Sequence, residues 1–178
     1  MNTFILKSLE MTIQNILLAI TAVLTALIAG LFYAYSCSVN IGLAKLTDSQ
    51  YIAAMQSINR EIQNPMFFIS FTGTLLMLPI STFFQYKDGT MNSFWLLLAA
   101  TITYCIGTFG ITIVGNVPLN EAMDKFSLQS ATIQQITEAR TRFEIPWNRY
   151  HTIRTIASII ALLLVIIACI SKPAKQII

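Results

Sequence analysis

The sequence predicts an all-α fold: a transmembrane four-helix bundle with amphipathic connecting helices capping one end. Composition is the first observation. Residues are 55% apolar and only 11% charged, with a mean hydropathy of +0.66, whereas soluble domains carry roughly 25% charge. A water-facing exterior needs charge over most of its area; a lipid-facing one must avoid it. The second observation is spacing. No charge occurs between Met11 and Ala44, Ile62 and Tyr86, Gly89 and Asn120, or Thr155 and Ser171. A hydrocarbon crossing takes about 20 predominantly apolar helical residues. The spacing predicts spans near 14–36, 66–85, 93–115 and 153–171, within a single domain over 1–178.

The first apolar run follows Lys7 and passes through Leu31-Phe32-Tyr33-Ala34-Tyr35 without a small-x-small cleavage site. It is longer than the apolar core of a secretion signal, so a retained span is expected. Ala22, Ala26 and Gly30 at four-residue spacing, Gly73 on the second span, and Gly107 and Gly110 on the third are candidate points of close backbone approach. Such approach drives helix association in lipid. The other reading is that they are small residues incidental to apolar sequence.

Thr47 with Gln50 reads as a capping box. The helix it opens, at 48–63, has Tyr51, Ile52, Met55, Ile58 and Ile62 on one face and Gln56, Asn59, Arg60 and Glu61 elsewhere. That amphipathic pattern suits an interface or a bundle end. Asn64-Pro65 ends it, and Pro65 suits the first turn of the second span. A short link around Lys87-Asp88-Gly89 makes spans two and three antiparallel neighbours. The stretch from Val117 to Ile145 permits a second interfacial helix near 130–143, after which Pro146 is expected to open the last helix.

Four spans bring both termini to one side and both long connections to the other. The bare side has Lys7, Lys87, Lys172 and Lys175 in short segments. Positive charge in short flanking segments predicts cytoplasmic termini, and a bacterial inner (plasma) membrane is the expected location.

Every span brings polar groups to the capped end. Trp147, His151 and Arg154 share a face of the fourth helix; Tyr33, Ser36 and Asn40 do so on the first. Tyr104, Thr108, Thr112 and Asn116 form a stripe on the third, followed by Asn120, and Asn64 opens the second. Glu144 is placed to reach Arg149, His151 or Arg154. Polar groups are costly against lipid, so they should face inward or line a wet cavity. The functional reading is a pocket with His151 as general base and Arg154 as anion clamp. Trp147 and Tyr33 form its aromatic wall, and Asn116 and Asn120 supply amide donors; Asn40 and Asn64 complete the candidate set. The alternative is an interfacial hydrogen-bond network with belt aromatics and a snorkelling arginine.

Other classes fall away. One histidine and carboxylates confined to the connections give no metal ligand set. Cys37, Cys105 and Cys169 lie in separate apolar stretches without metal spacing. Scattered basic residues leave no nucleic-acid footprint. No carboxylate lies inside a span, which argues against a proton relay.

The four spans, Gly30-Leu31-Phe32, Asn116-Val117-Pro118-Leu119-Asn120 and Trp147-x-x-x-His151-x-x-Arg154 together resemble the anthrone oxygenase-like family of small membrane proteins. The resemblance implies a cofactor-free oxygenase acting on an aromatic, anthrone-like ketone. Implied roles are His151 as base, Arg154 with the amides of Asn116 and Asn120 at the enolate oxygen, and Trp147 stacked on the ring. No cofactor is expected. The partners expected are membrane lipid and a hydrophobic aromatic small molecule, with self-association into a homo-oligomer left open. The second functional reading is a non-enzymatic accessory or structural protein that docks a lipid or another protein.

Overall fold

A computed structural model describes residues 2–87 and 90–171, with side chains from Ile13 onward in the first helix. The expected link at Asp88-Gly89, the side chain of Lys7, and Lys172 and Lys175 lie outside the described residues. Helix α1 (Asn2–Ala34) runs on through a π-helical segment, Tyr35–Val39, and a last α-turn, Asn40–Leu43. Then come α2 (Asp48–Glu61), α3 (Pro65–Lys87) and α4 (Met91–Thr103). Two further π segments, Tyr104–Gly110 and Thr112–Asn116, continue α4 into α5 (Val117–Asp124). Helix α6 (Ile133–Ile170) closes the chain. The fold is an all-helical four-helix bundle, and four helical stretches are long and apolar enough to cross a membrane: Ile13–Leu43, Pro65–Lys87, Met91–Asp124 and Ile133–Ile170.

The spans pack as a ring, α1 against α3 and α6, and α4 against α3 and α6. Exposed Ile16, Ile20, Ile69, Leu76, Ile102, Ile160 and Leu163 cover the outside, and Ile28, Phe32, Phe71, Leu78, Leu97, Tyr104, Ala161 and Val165 fill the middle. The buried stripe of α1 is Thr21, Thr25, Ile28, Ala29 and Phe32. Thr21 and Thr25 return their hydroxyls to the carbonyls one turn back, at 2.8 and 2.6 Å. Thr21 also meets Ser81 of α3 at 2.7 Å. The expected Ala22–Ala26–Gly30 seam is therefore wrong in face: Ala26 is exposed and Gly30 has open space around it. Close approach does occur at two of the other expected glycines. A Cβ at Gly107 would lie 2.7 Å from that of Ala157, and one at Gly73 would lie 3.1 Å from Leu24.

The fourth helix departs from expectation most. The helix expected near 130–143 and the last span are one helix of 38 residues, Ile133–Ile170, roughly 57 Å long at 1.5 Å per residue. Pro146 lies inside it and does not open it. Its missing N–H strands one carbonyl a turn earlier, and packing on both sides carries the helix through. Thr132 and Gln135 begin the helix with a capping box of their own, the Gln135 Oε1 accepting the Thr132 backbone N–H at 2.8 Å.

The cap forms as expected from Thr47, whose N–H donates to Gln50 Oε1 at 3.2 Å. Helix α2 buries Tyr51, Ile52, Met55 and Asn59, with Ile58 half-buried against the same core as expected; the departure is Asn59, which joins the inward face. Side-chain bonds hold the cap down. Gln56 Nε2 donates to the carbonyls of Met123 and Phe126 at 2.9 and 2.8 Å. Arg140 donates to the Leu46 and Ala44 carbonyls at 2.8 and 3.2 Å, to Asp48 at 3.0 Å and to Glu144 at 2.7 Å. Glu144 is thus Arg140's partner, one turn away, rather than a partner of Arg149, His151 or Arg154. The opposite end has more polar groups than lysines alone. Gln14, Gln85 and Ser93 are buried there, with Thr90 Oγ1 donating to Gln85 Oε1 at 2.6 Å.

Candidate functional site

Three π segments lie on the approach to the capped end, one on the first span and two on the third. A π turn inserts extra chain into a helix and is often found at functional sites. Its effect here is positional. On the third span Tyr104, Thr108, Thr112 and Asn116 are all buried on one line. A four-residue repeat drifts by about 40° per step on an α-helix, and the wider π turns bring it back. On the first span the π segment starts at Tyr35, whose ring comes within 5.9 Å of the His151 ring and 6.3 Å of that of Trp147.

His151 and Arg154 turn inward as the spacing predicted, with 1% and 8% of their surface exposed. Arg154 Nε and Nη2 lie 3.3 and 3.2 Å from His151 Nδ1. A guanidinium has no acceptor, so Nδ1 accepts and the ring proton sits on Nε2. That nitrogen faces Ser36 Oγ at 3.0 Å and Thr155 Oγ1 at 3.4 Å. Arg154 Nη1 reaches Thr112 Oγ1 at 3.5 Å, and the guanidinium carbon stands 4.3 Å over the Phe32 ring. Among the described residues no carboxylate pairs with Arg154. A buried cation is stable only with compensating partners, so this one has capacity left for an anion.

Trp147 is stacked on both sides by its own helix. Its ring lies 5.0 Å from His151 with planes 9° apart, and 6.0 Å from Phe143 at 27°. Rings at i, i+4 and i+8 form one column, so the indole has its edge left for a guest and not its faces. Its Nε1 donates to Asn120 Oδ1 at 2.8 Å. Asn116 is fully buried and donates to the Trp147 carbonyl at 3.2 Å, while its Oδ1 has no protein partner.

Beside this cluster lies a cavity of about 350 Å³. Arg154, Trp147, Thr112 and Asn120 form its inner wall, and Phe32, Tyr35, Phe67 and Phe71 supply ring surface. Ile58 and Asn59 of α2 roof it, with Gln63 from the turn that follows. Its rim has two characters: Arg60, Glu121, Asp124 and Lys125 on the cap side, and the exposed Phe68 and Ile113 on the outer face of the bundle. Arg60 and Asp124 pair across the rim at 2.7 Å.

His151 does not line this cavity; it stands behind Arg154 and holds its guanidinium. Tyr33 is 59% exposed on the outer surface, and Tyr35 takes the wall position, three residues beyond the buried Phe32 and seven beyond Ile28 on the inward face. Asn40 donates to Asn148 Oδ1 at 3.1 Å. Asn64 caps α3, accepting the Phe67 N–H at 3.1 Å. Neither Asn40, Asn64 nor Asn116 lines the cavity. Among the described residues no three His, Cys, Asp or Glu side chains come together as a metal set.

A family model described as Anthrone oxygenase matches residues 55–164, more than half of the chain. The chain belongs to the anthrone oxygenase family. No curated protein and no solved structure matches it. The stretch that matches the anthrone oxygenase model opens inside α2 and ends inside the fourth span. It therefore holds Asn59, Thr112, Asn120, Trp147, His151 and Arg154, whereas Phe32, Tyr35 and Ser36 precede it.

Proposed function

We propose that this membrane protein binds a planar, oxygen-bearing aromatic ketone in the capped-end cavity and oxidises it with O₂ without a cofactor. One observation carries the reading: a buried guanidinium without a carboxylate partner among the described residues opens into a cavity otherwise lined largely by rings and aliphatic side chains. For an anthrone, the reaction balances as anthrone plus O₂ giving anthraquinone plus water. The methylene carbon loses four electrons and two protons. One oxygen atom becomes the new carbonyl, and the other takes up both protons as water.

The chemistry asked of the chain is stabilisation of the enolate that forms when the first proton leaves. Preorganised donors aimed at a developing oxyanion are the strongest help a site of this kind supplies. Arg154 is the group that touches that oxygen, with the Asn120 amide beside it. His151 holds the guanidinium toward that oxygen through Nδ1; standing outside the cavity lining, it takes no proton from the guest's methylene carbon, which lies across the ring from the oxygen. Trp147 and Ser36 hold the imidazole on its far sides, and Phe32, Tyr35 and Phe67 flank the aromatic guest.

The decisive comparison is wild type against Arg154→Met in lipid nanodiscs. Binding of anthrone-type ligands is expected to weaken at least tenfold, and anthraquinone formation from anthrone to stop, while the thermal midpoint holds. Unchanged turnover in Arg154→Met sinks the reading. The accessory-protein reading is favoured by a different feature, a groove of about 310 Å³ on the cap between α5 and α6, lined by Leu119, Met123, Phe126, Ala139 and Phe143. Failure of wild type to bind any planar ketone or phenol would favour it.

Orientation follows the charge distribution, with cytoplasmic termini and the cap outside, and the membrane of this reading is a bacterial inner membrane. The exposed isoleucine-rich faces meet lipid.

A further inference from the structure

We propose that Asn59 is a specificity-determining residue of the cavity, its side-chain amide recognising a second oxygen of the guest, a carbonyl or hydroxyl distinct from the anionic oxygen held by Arg154. The inference rests on the function proposed above and names the substrate more narrowly: a planar aromatic oxygenated at two positions.

Asn59 is 6% exposed, on the inward face of the roof helix α2, and it lines the same cavity as Arg154. Its Nδ2 is buried with no hydrogen-bond partner in the protein. An unpaired buried amide is costly, and the great majority of such groups in folded proteins are bonded. The cost is easily avoided at this position, since Tyr51, Ile52 and Met55 on the same face of α2 are apolar or amphipathic and pack as core. The neighbouring Gln63 does not relieve it: its Nε2 donates to the Asn59 backbone carbonyl at 3.0 Å and leaves the side chain alone. A polar atom of the guest supplies the missing partner. Arg154 belongs to the inner wall and Asn59 to the roof, so a rigid guest that satisfies both is fixed in orientation within the slot. A hydroxyl or carbonyl serves whichever end of the amide faces the guest, because a hydroxyl both donates and accepts.

The test measures binding of anthrone, with one oxygen, and of 1,8-dihydroxyanthrone and anthraquinone, each with further oxygen, to wild type, Asn59→Leu and Asn59→Ala in nanodiscs under nitrogen. Wild type is expected to prefer at least one of the more oxygenated compounds by roughly tenfold, the discrimination of one buried hydrogen bond. Both variants are expected to lose that preference, hold anthrone within about twofold, and melt no lower than wild type for Asn59→Leu. Having two variants keeps the test open if either one fails to fold. A preference that survives in the variants overturns the proposal while leaving the oxygenase reading intact, as does equal loss of every ligand in a variant that still melts cooperatively. Absence of all binding in wild type overturns both.

Discussion

The indole of Trp147 and the imidazole of His151 lie face to face, 5.0 Å apart and 9° from parallel, with Phe143 against the other indole face. This column fixes the histidine ring, and the ring fixes the guanidinium. Trp147→Phe keeps a stacked ring but removes the N–H that bonds Asn120 at 2.8 Å. Loss of about 1–3 kcal/mol is expected from the stranded amide oxygen and the smaller ring, read as a lower thermal midpoint. A variant as stable as wild type would show that the column carries no such weight.

Arg154 donates to His151 Nδ1, which sets the imidazole tautomer. Nitrogen-15 NMR of histidine-labelled protein is expected to give an unprotonated Nδ1 and a protonated Nε2. Ser36→Ala removes the 3.0 Å partner of Nε2 and leaves Thr155 to take over, at a cost of about 1 kcal/mol or less. A protonated Nδ1 in wild type is the result that contradicts this arrangement.

Two glycines separate true contact from incidental smallness. A Cβ at Gly107 would come 2.7 Å from the Ala157 Cβ on the facing helix, whereas one at Gly30 meets nothing within 4 Å. Gly107→Ala is expected to destabilise by about 1–3 kcal/mol through forced separation of the helices. Gly30→Ala is expected to be neutral or stabilising by up to about 1 kcal/mol, as helix propensity favours alanine. Thermal midpoints of the two variants, measured side by side, decide the point.

Asp48 ties the start of α2 to α6. Its Oδ2 accepts the Thr137 hydroxyl at 2.6 Å and its Oδ1 accepts Arg140 at 3.0 Å. The Thr137 bond foremost, with Arg140, holds this carboxyl below its usual range. A depressed carboxylate contributes stability that is fully present above the unfolded value, about 3.9, and is lost as pH falls through the lower folded value. Asp48→Asn is expected to melt below wild type at pH 7, with the gap closing below about pH 4 as wild type loses the same bonds. A gap independent of pH would contradict the role of the ionised form.

Much of the fold was legible because charge is excluded from lipid so strictly that its gaps mark the spans. The cap helix was legible from Thr47 and Gln50, and the same signature at Thr132 and Gln135 was readable but missed. Pro146 misled: proline suits a first turn, but here a helix packed on both sides absorbs it. In the site, Trp147, His151 and Arg154 share a face because that stretch of α6 keeps one α-helical period. Tyr33 shares its spacing with the polar Ser36 and Asn40, but Tyr35 continues the buried face of Ile28 and Phe32 at the same α-helical period. Asn59 is polar, yet it lies four residues from Met55 and seven from Ile52, the spacing of one helix face. Which side of a short helix turns inward is decided by what it covers, and α2 covers a cavity with polar needs.

Helix α6 carries Arg140, which grips the roof, and Arg154, which faces the cavity, fourteen residues apart, or roughly 21 Å along one axis. The two ends are joined as a lever is joined, with Pro146 as its weakest point. The first turns of that helix and the guanidinium belong to one unbroken backbone, with no loop between them. Cap and bundle wall therefore share one rod, and the placement of the Arg154 guanidinium depends on how the cap is held.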